Sequence, residues 1–255
     1  MNIIKNWFYK LSEILNNDEE NNSIIINDNL VVAMFDDLWI PDNFSLFQRK
    51  RPEGSTLGVS PQGEGLINIK IWEKSRVEFY WILDNTGDKT INFIQNKELS
   101  NLSVRYLLLS KNNERIKVKI CSEISASNSK SDIHILSIIW NDWFVDLDGI
   151  IKINELIEKV DAKLLEENLF LWDTWKVKWI PTLLVRSNDV KASHACRIER
   201  ISDEKLFYLR SRWIWRYNAL YMMIESYISS MFMCISMMDE KFYTELFENI
   251  IKKIK

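Results

Sequence analysis

Apolar and polar residues alternate with a period of two through much of the chain, and this feature most limits the folds that the sequence can adopt. Ile67, Ile69 and Ile71 alternate with polar or aromatic neighbours, and a similar pattern returns from Val77 to Leu83. A period of two places alternate side chains on opposite faces of an extended strand. We therefore predict that these segments are β-strands.

Turn-forming residues separate the predicted strands. Residues 85–88 include a glycine, and residues 111–114 form a polar connection between two apolar runs. Short connections of this kind usually join the two strands of a hairpin. The sequence therefore predicts an antiparallel meander of roughly seven or eight strands between Ser23 and about Ile153. Residues 146–149 (Asp-Leu-Asp-Gly) are predicted to form a tight turn within it.

Helical spacing is predicted before and after this β-rich region. Apolar residues between Ile3 and Leu15 recur at steps of three and four, which indicates an amphipathic helix. Asn154 resembles a helix N-cap, so a helix is predicted from there to about Phe170, followed by two or three short strands. The run after Ser202 lacks glycine and proline and predicts two terminal helices.

The predicted fold class is α+β: a mostly antiparallel β-sheet, sandwich- or barrel-like, with an N-terminal amphipathic helix and a C-terminal helical segment. Residues 1–22 are predicted to form the helix and a polar connector, and residues 23–153 a β-rich domain. Residues 154–255 are predicted to be a mixed region that ends in two helices packed on the β domain. A chain of 255 residues is long enough to bury a substantial core.

Glycine and cysteine content exclude several classes of protein. The chain has only six glycines, and the cluster from Gly58 to Gly65 completes neither a P-loop nor a dinucleotide-binding fingerprint. Three widely spaced cysteines do not form a complete disulfide framework, which favours a reducing compartment. The N-terminus lacks the apolar core of a signal peptide. We therefore expect a cytoplasmic location.

Asp146, Asp148 and Glu155 are the candidate metal ligands. They match three positions of a calcium-binding EF-hand loop, but its first ligand position is occupied by Phe144. A turn followed by a helix explains the same residues without a metal. The favoured interpretation has no cofactor, and a divalent metal bound by these three acids is the alternative.

His194-Ala-Cys196 is the place where histidine and cysteine come closest in the sequence. Side chains two positions apart lie on one face of a strand, but their Cα atoms are about 6.5–7 Å apart. Direct pairing of a nucleophile with its base is therefore awkward here. Two histidines and three scattered cysteines also make a structural zinc site an unfavoured interpretation.

Positive charge is concentrated between Thr174 and Asn218, where ten basic residues stand against four acidic ones although the whole chain has a net charge of −3. Residues 210–217 interleave arginines with aromatic residues, a mixture that contacts phosphates and stacks on bases. Membrane interfaces and acidic protein surfaces recruit the same mixture. The candidate binding residues are Arg49, Lys50, Arg51, Arg197, Arg200, Arg210, Arg212, Trp213, Trp215 and Arg216.

Residues 218–238 form an apolar, methionine-rich run that is about long enough to span a bilayer. Glu225 and several serines oppose insertion into lipid. A helix that is apolar nearly all round is more often buried in a core or against a partner, and methionine suits an adaptable interface. This run is therefore a candidate surface for forming homo- or hetero-oligomers, and a membrane contact is less favoured.

These observations favour a non-enzymatic binding or assembly protein. We predict that its basic, aromatic C-terminal third contacts nucleic acid or an acidic protein partner. The first alternative is a metal-dependent hydrolase or nuclease that uses Asp146, Asp148 and Glu155. The second alternative is a membrane-associated protein attached through helix 218–238.

Overall fold

A computed structural model describes the parts of the chain from which the fold can be read. These are residues 2–3, 7–10, 23–26, 31–36, 65–83, 87–110, 115–139, 144–171, 176–201, 203–238 and 240–254. Within them the strands are β1 (Asn2–Ile3), β2 (Trp7–Lys10), β3 (Ser23–Ile26), β4 (Val31–Asp36), β5 (Gly65–Ile71), β6 (Arg76–Leu83), β7 (Gly87–Gln95), β8 (Asn101–Ser110), β9 (Arg115–Ile124), β10 (Lys130–Ile139), β11 (Phe144–Ile153), β12 (Val160–Phe170), β13 (Lys176–Trp179), β14 (Thr182–Val185) and β15 (Val190–Arg200). The helices are α1 (Asp203–Ser211), α2 (Arg216–Met238) and α3 (Glu240–Ile254).

The chain winds as a β-solenoid, because successive strands alternate between two sheets. The first sheet has the order β1-β3-β5-β7-β9-β11-β13, with β14 also paired to β11. The second has the order β2-β4-β6-β8-β10-β12-β15. All pairings among the described strands are parallel, and each strand pairs with the equivalent strand of the next rung.

The predicted antiparallel sheet, sandwich- or barrel-like, is therefore wrong. Residue alternation identifies a strand but not its partner. In this solenoid the short connections lead from one sheet to the other, so among the described strands consecutive ones do not form hairpins. The parallel partner of each strand arrives one full rung later, and from β6 onward the strands of the second sheet begin 25 to 30 residues apart.

Two of the predicted helices are also wrong. Asn2–Ile3 and Trp7–Lys10 are strands rather than parts of an N-terminal amphipathic helix. Val160–Phe170 is strand β12, not the end of a helix that begins at Asn154. The tight turn predicted at residues 146–149 lies inside strand β11. The division at residues 22 and 153 stays a prediction about domains.

The C-terminal helical segment lies where the sequence placed it, although it contains three helices rather than two. Ile224, Ile228 and Phe232 of α2 are buried against the outer face of the second sheet, together with apolar residues of α3. Helix α2 is long and apolar enough to cross a membrane by length and composition alone, a test that core helices of soluble proteins also pass. Its buried face instead forms a second hydrophobic core with the sheet.

Residues of equal register stack in columns inside the solenoid. One column of the first sheet contains Ile67, Ile91 and Ile120 and ends at Gly149. The three isoleucines are at most 3% exposed, and burial of each stabilises the fold by roughly 1.5–3 kcal/mol relative to exposure. The glycine breaks the column at the rung where the candidate site begins.

Buried serines hold the turns that lead from the first sheet to the second. Ser100 and Ser129 are fully buried, and their hydroxyl oxygens lie 3.1 Å apart. The side-chain amide of Gln95 donates to the Ser100 carbonyl and to the Lys130 carbonyl, at 3.1 and 3.0 Å. These bonds satisfy polar groups that burial would otherwise leave unpaired, which costs about 1–3 kcal/mol per group.

Helix α1 ends in a Schellman motif with an unusual residue at its left-handed position. The backbone N–H of Trp213 donates to the Arg210 carbonyl at 3.0 Å, and that of Ile214 donates to the Leu209 carbonyl at 3.4 Å. Trp213 has a φ of 66° and is 95% exposed. Glycine is the usual residue at this position, because a side chain disfavours left-handed backbone.

Trp213→Gly is therefore expected to raise the free energy of unfolding by about 1 kcal/mol. The tryptophan side chain loses almost no buried contact, since it is nearly fully exposed. Urea denaturation measures the change. Trp215→Gly, which removes another exposed tryptophan, is the control and should not stabilise the protein. A lower stability for Trp213→Gly would contradict this explanation.

Candidate functional site

Strand β15 forms the open end of the solenoid. It pairs with β12 on one side, and no strand in the described part of the chain pairs with its other edge. Val190 and Ala192 still pack against the core at one end of the strand. The next residues on the same face are His194 and Cys196, and both are exposed. The interior face of the solenoid is therefore accessible at this last rung.

The interior columns change from apolar to polar as they reach this end. One column contains Tyr106, Ile135, Glu166 and Cys196 in successive strands. In one neighbouring column Leu164 of β12 pairs with His194 of β15, and in the other Asn168 pairs with Ile198. The last two rungs thus place a carboxylate, a carboxamide, an imidazole and a thiol on one face.

Glu166 is the most unusual of these groups. Its side chain is fully buried, and neither carboxylate oxygen makes a hydrogen bond of normal geometry. Burial, with a smaller contribution from the negative charge of Asp148, raises the pKa of Glu166 from 4.5 to about 7, and the backbone amide of Gly149 partly opposes this. A Cβ atom at Gly149 would overlap Glu166 Oε1. Gly149 is therefore the residue that makes room for the buried acid.

This pKa predicts how stability depends on pH. An unfolded chain ionises Glu166 near pH 4.5, whereas the folded chain keeps the proton up to about pH 7. The folded state therefore loses stability as the pH rises between these values, by roughly 3 kcal/mol in total, and the loss stays constant above pH 7. Glu166→Gln should remove this loss. Urea denaturation at pH 5 and pH 8 should show a larger gain from the substitution at pH 8, and an equal gain at both would contradict the assignment.

Cys196 and His194 are the side chains at the open end that belong to residue types able to ligate a metal. Partial loss of solvent around the sulfur and the charge of Glu166 raise the pKa of the Cys196 thiol, while the Asn168 amide, whose Nδ2 donates to Sγ at 3.8 Å, lowers it. Imidazole and thiolate are both iron ligands in proteins. In the described part of the chain, no three His, Cys, Asp or Glu side chains are grouped to hold a metal ion. The described residues thus offer one imidazole and one thiol at the open end.

The outer face of the same strands carries a separate ionic network. Glu167 contacts His134 Nε2 at 2.7 Å and accepts a hydrogen bond from Arg197 at 2.9 Å. Arg197 also lies 3.8 Å from Glu199. Because two acids neutralise Arg197, this predicted binding residue is not a free positive charge.

The other candidate binding residues are distributed over several elements. Arg200 is on β15, Arg210 is on α1, and Arg216 begins α2. Trp213 and Trp215 lie in the connection between the helices and are 95% and 82% exposed. The remaining candidates are Arg212, whose guanidinium lies 5.4 Å from the ring centre of Tyr208, and Arg49, Lys50 and Arg51, which fall outside the described residues. Their role in binding stays a prediction.

The candidate metal ligands do not form the predicted loop. Asp146 and Asp148 alternate along strand β11, and Asp146 pairs with Lys178 at 3.6 Å. Glu155 is exposed in the turn that follows β11 and lies 3.9 Å from Arg186. The turn and following helix that were predicted as the explanation without a metal are also absent from this described region, since Asp146 and Asp148 are in strand β11 and the next regular element is strand β12.

The solenoid and its first helices match a known family. Residues 68–227 match the SufBD core domain of the SUF system for FeS cluster assembly. This segment runs from β5 into α2 and covers more than half of the chain. The chain belongs to the SufBD family. The open end with His194 and Cys196 lies inside the matched SufBD core domain.

Two curated relatives agree with this SufBD assignment. The chain is 33% identical over 84 residues to the iron–sulfur cluster assembly protein SufD of Escherichia coli K12, a match that covers 33% of this chain and 20% of SufD. It is 28% identical over 79 residues to an iron–sulfur cluster assembly SufBD family protein of Synechocystis, covering 31% of this chain and 17% of that protein. The matches thus span about a fifth of the length of these relatives.

Membership of the SufBD family corrects the predicted function. The match to iron–sulfur cluster assembly proteins contradicts the prediction of nucleic acid as the partner. It also leaves both alternatives, the metal-dependent hydrolase or nuclease and the membrane-associated protein, without support. The basic and aromatic residues had suggested nucleic acid, but this mixture is not specific to one kind of partner.

Sequence reasoning missed Glu166 and Asn168 altogether. It placed them in a predicted helix, where residues two apart do not share a face. The available signal was the alternation from Val160 to Leu164, because a strand continued at the same period places Glu166 and Asn168 on the same side as Leu164. His194 and Cys196 were noted together but were considered only as a catalytic pair or a zinc site.

Proposed function

We propose that this chain is a scaffold subunit in iron–sulfur cluster assembly. It joins another SufBD-family subunit through the open end of its solenoid and contributes His194 and Cys196 to a cluster site shared by the two subunits. Membership of the SufBD family, whose described role is cluster assembly in the SUF system, is the single observation that carries this proposal. We also expect the protein to act in the cytoplasm, where reduced cysteines persist.

The surface at the open end has the character of a protein interface. An edge strand carries unpaired backbone groups, which readily pair with a strand from another chain. Apolar side chains accompany this edge: Ile180, Leu184, Val185 and Ile198 are 42–49% exposed. Covering them would remove apolar surface from water, which favours association. A second subunit with a similar end, including another copy of this chain, fits this surface.

The number of ligands also supports a shared site. Protein-bound iron–sulfur clusters usually have four protein ligands, and histidine replaces cysteine at two of them in some clusters. One chain offers His194 and Cys196 at the open end, which is half of such a set. Two subunits that meet at this end therefore complete it. The cluster is the cargo of the assembly process, so exposed and incomplete ligation suits its later release.

Ile198→Lys tests the proposed interface. A lysine at this position of the edge strand β15 would put a charge into an apolar contact, so association should weaken by about tenfold or more. Size exclusion with light scattering measures association of the chain with itself and with a second SufBD-family subunit of the same organism. Met222→Lys is the matched control, because Met222 is 46% exposed and lies on α2.

Two results would count against this interface. The first is a chain that stays monomeric in both experiments at high concentration. The second is a complex in which Ile198→Lys associates as tightly as the Met222→Lys control. The first result would contradict association itself, and the second would place the contact between subunits away from β15.

A further inference from the structure

We propose that Glu166, Asn168 and Cys196 form a binding site for a single divalent transition-metal ion inside the last rungs of the solenoid. This site deepens the proposed function, on which its biological meaning rests, because Cys196 belongs both to it and to the shared cluster site. Among divalent transition-metal ions, Fe²⁺ is the one that iron–sulfur cluster assembly requires. Binding of the ion can be tested without cluster assembly.

The first argument is the number of buried acceptor atoms without a partner. Both carboxylate oxygens of Glu166 and Oδ1 of Asn168 are enclosed and make no hydrogen bond of normal geometry. Glu166 is 0% exposed and Asn168 is 1% exposed. A buried acceptor without a donor costs about 1–3 kcal/mol, and more if it is charged. Three enclosed oxygens on two neighbouring side chains, with the Gly149 backbone amide as the one donor that acts on Glu166 among the described residues, indicate that a cation completes this part of the structure.

The second argument is that all three side chains point into the same region. Glu166 and Cys196 are register partners on adjacent parallel strands, so their side chains leave the sheet on the same face. Asn168 is two residues after Glu166, and its amide contacts Cys196 Sγ at 3.8 Å. Rotation of this amide by half a turn would direct its oxygen toward the thiol side. A carboxylate, an amide oxygen and a thiolate then lie at neighbouring positions on one face of the sheet.

The third argument is electrostatic. The charged side chain that acts most strongly on Glu166 among the described residues is Asp148, another acid. A bound cation would offset the cost of a buried carboxylate that lies near a second acid, because an unpaired buried charge is costly. The thiol of Cys196 selects among cations, since thiolate ligands favour iron, cobalt and zinc over magnesium and calcium.

The fourth argument is access. Cys196 lies on the exposed edge strand, whereas Glu166 is fully buried one strand further in. An ion entering from the open end would therefore meet the thiol first and the carboxylate second. Gly149, opposite Glu166, lacks the side chain that would fill this space. The need to keep this space free of a side chain explains why a glycine lies in the middle of strand β11.

Cobalt titration of the full chain tests the proposal. Co²⁺ is added to the reduced protein without sulfide, because a Co²⁺–thiolate bond gives a charge-transfer absorption that reports ligation by cysteine. We expect one Co²⁺ per chain with this absorption. Glu166→Gln, which keeps the shape of the side chain but removes its charge, should weaken Co²⁺ binding by about tenfold or more. Cys196→Ser should remove the absorption.

Three controls separate this site from the alternatives. Cys234→Ser removes another exposed cysteine, on α2, and should leave the absorption unchanged. His194→Ala should also leave Co²⁺ binding unchanged, although it is expected to damage the shared cluster site. Mg²⁺ in excess should not compete. Glu166→Gln is not expected to unfold the protein, because it removes a buried charge.

Two results would overturn the proposal. If Co²⁺ binding is lost in His194→Ala but kept in Glu166→Gln, the ion lies at the exposed pair and not inside the solenoid. If no Co²⁺ binds with a thiolate absorption, Glu166 is simply protonated in the folded protein. Neither result would bear on whether two subunits associate through β15, so failure of this site and failure of the proposed function can be distinguished.

Discussion

Combined replacement of His194 by alanine and of Cys196 by serine is expected to reduce the bound cluster at least about tenfold. The protein is reconstituted with iron and sulfide in the absence of oxygen, and bound iron, bound sulfide and the visible absorption are measured. Both side chains are exposed on edge strand β15, so their loss should not disturb the fold. The expected effect arises because the double variant loses both side chains that the chain is proposed to contribute to the shared cluster site.

The chain provides matched controls for this double replacement. His134 is its other histidine and is held by Glu167 at 2.7 Å on the outer face of the second sheet. Cys234 is an exposed cysteine on α2. His134→Ala with Cys234→Ser removes the same chemical groups away from the open end and should leave cluster content unchanged. Equal loss in both double variants would show that ligation is not specific to β15.

Gly149→Val is expected to lower the free energy of unfolding by about 3 kcal/mol or more. The new Cβ would overlap the Glu166 carboxylate and lie 3.0 Å from Leu164 Cδ2. Glu166 is fully buried, so its carboxylate has little room to move away. Valine normally suits a strand better than glycine, so the expected loss comes from the overlap and not from strand propensity.

A double-mutant cycle isolates this overlap. Glu166→Ala should recover a large part of the stability that Gly149→Val loses, because it removes the atoms that the valine meets. Ile151→Val is the control on the same strand, since it removes one buried methylene and should cost about 0.5–1.5 kcal/mol. Urea denaturation measures all variants. Additive effects of the two substitutions would contradict the packing described for Gly149.

Most strands could be predicted from the sequence, but their arrangement could not. The alternation around Ile67, Ile91 and Ile120 is a local signal, because it depends only on which face of a strand is buried. Whether two strands pair parallel or antiparallel depends on where the chain goes between them. Residues 111–114 were interpreted as a hairpin turn, but the strands on either side, β8 and β9, lie in different sheets. A short polar connection serves both arrangements equally well.

Strand β12 shows why helical spacing alone was misleading. Leu156, Val160 and Leu164 recur at steps of four, which is the spacing of one helix face. In the structure Leu156 lies in the turn before β12 and is 97% exposed, whereas Val160 and Leu164 are buried in the strand. A spacing of four is also a multiple of two, so it fits a strand as well. The structure has a turn at Leu156, so the segment is a turn followed by a strand and not one continuous helix.

The candidate site could be predicted only in part. His194 and Cys196 were visible as a close pair of metal-binding residues, and strand periodicity places them on one face. Their position at the open end of a solenoid depends on seven-stranded and eight-stranded sheets assembled over long sequence distances. The contact of Gly149 with Glu166 crosses from one sheet to the other. No local pattern around either residue specifies that contact.

Native mass spectrometry of the anaerobically reconstituted protein tests the central proposal most directly, because one spectrum reports both association and cluster content. The chain is measured alone and together with a second SufBD-family subunit of the same organism. We predict an assembly of two SufBD-family chains that carries an iron–sulfur cluster, and loss of that cluster mass in the His194→Ala, Cys196→Ser variant. A cluster bound to a single chain, or a cluster retained by this variant, would contradict a shared site at the open end of the solenoid.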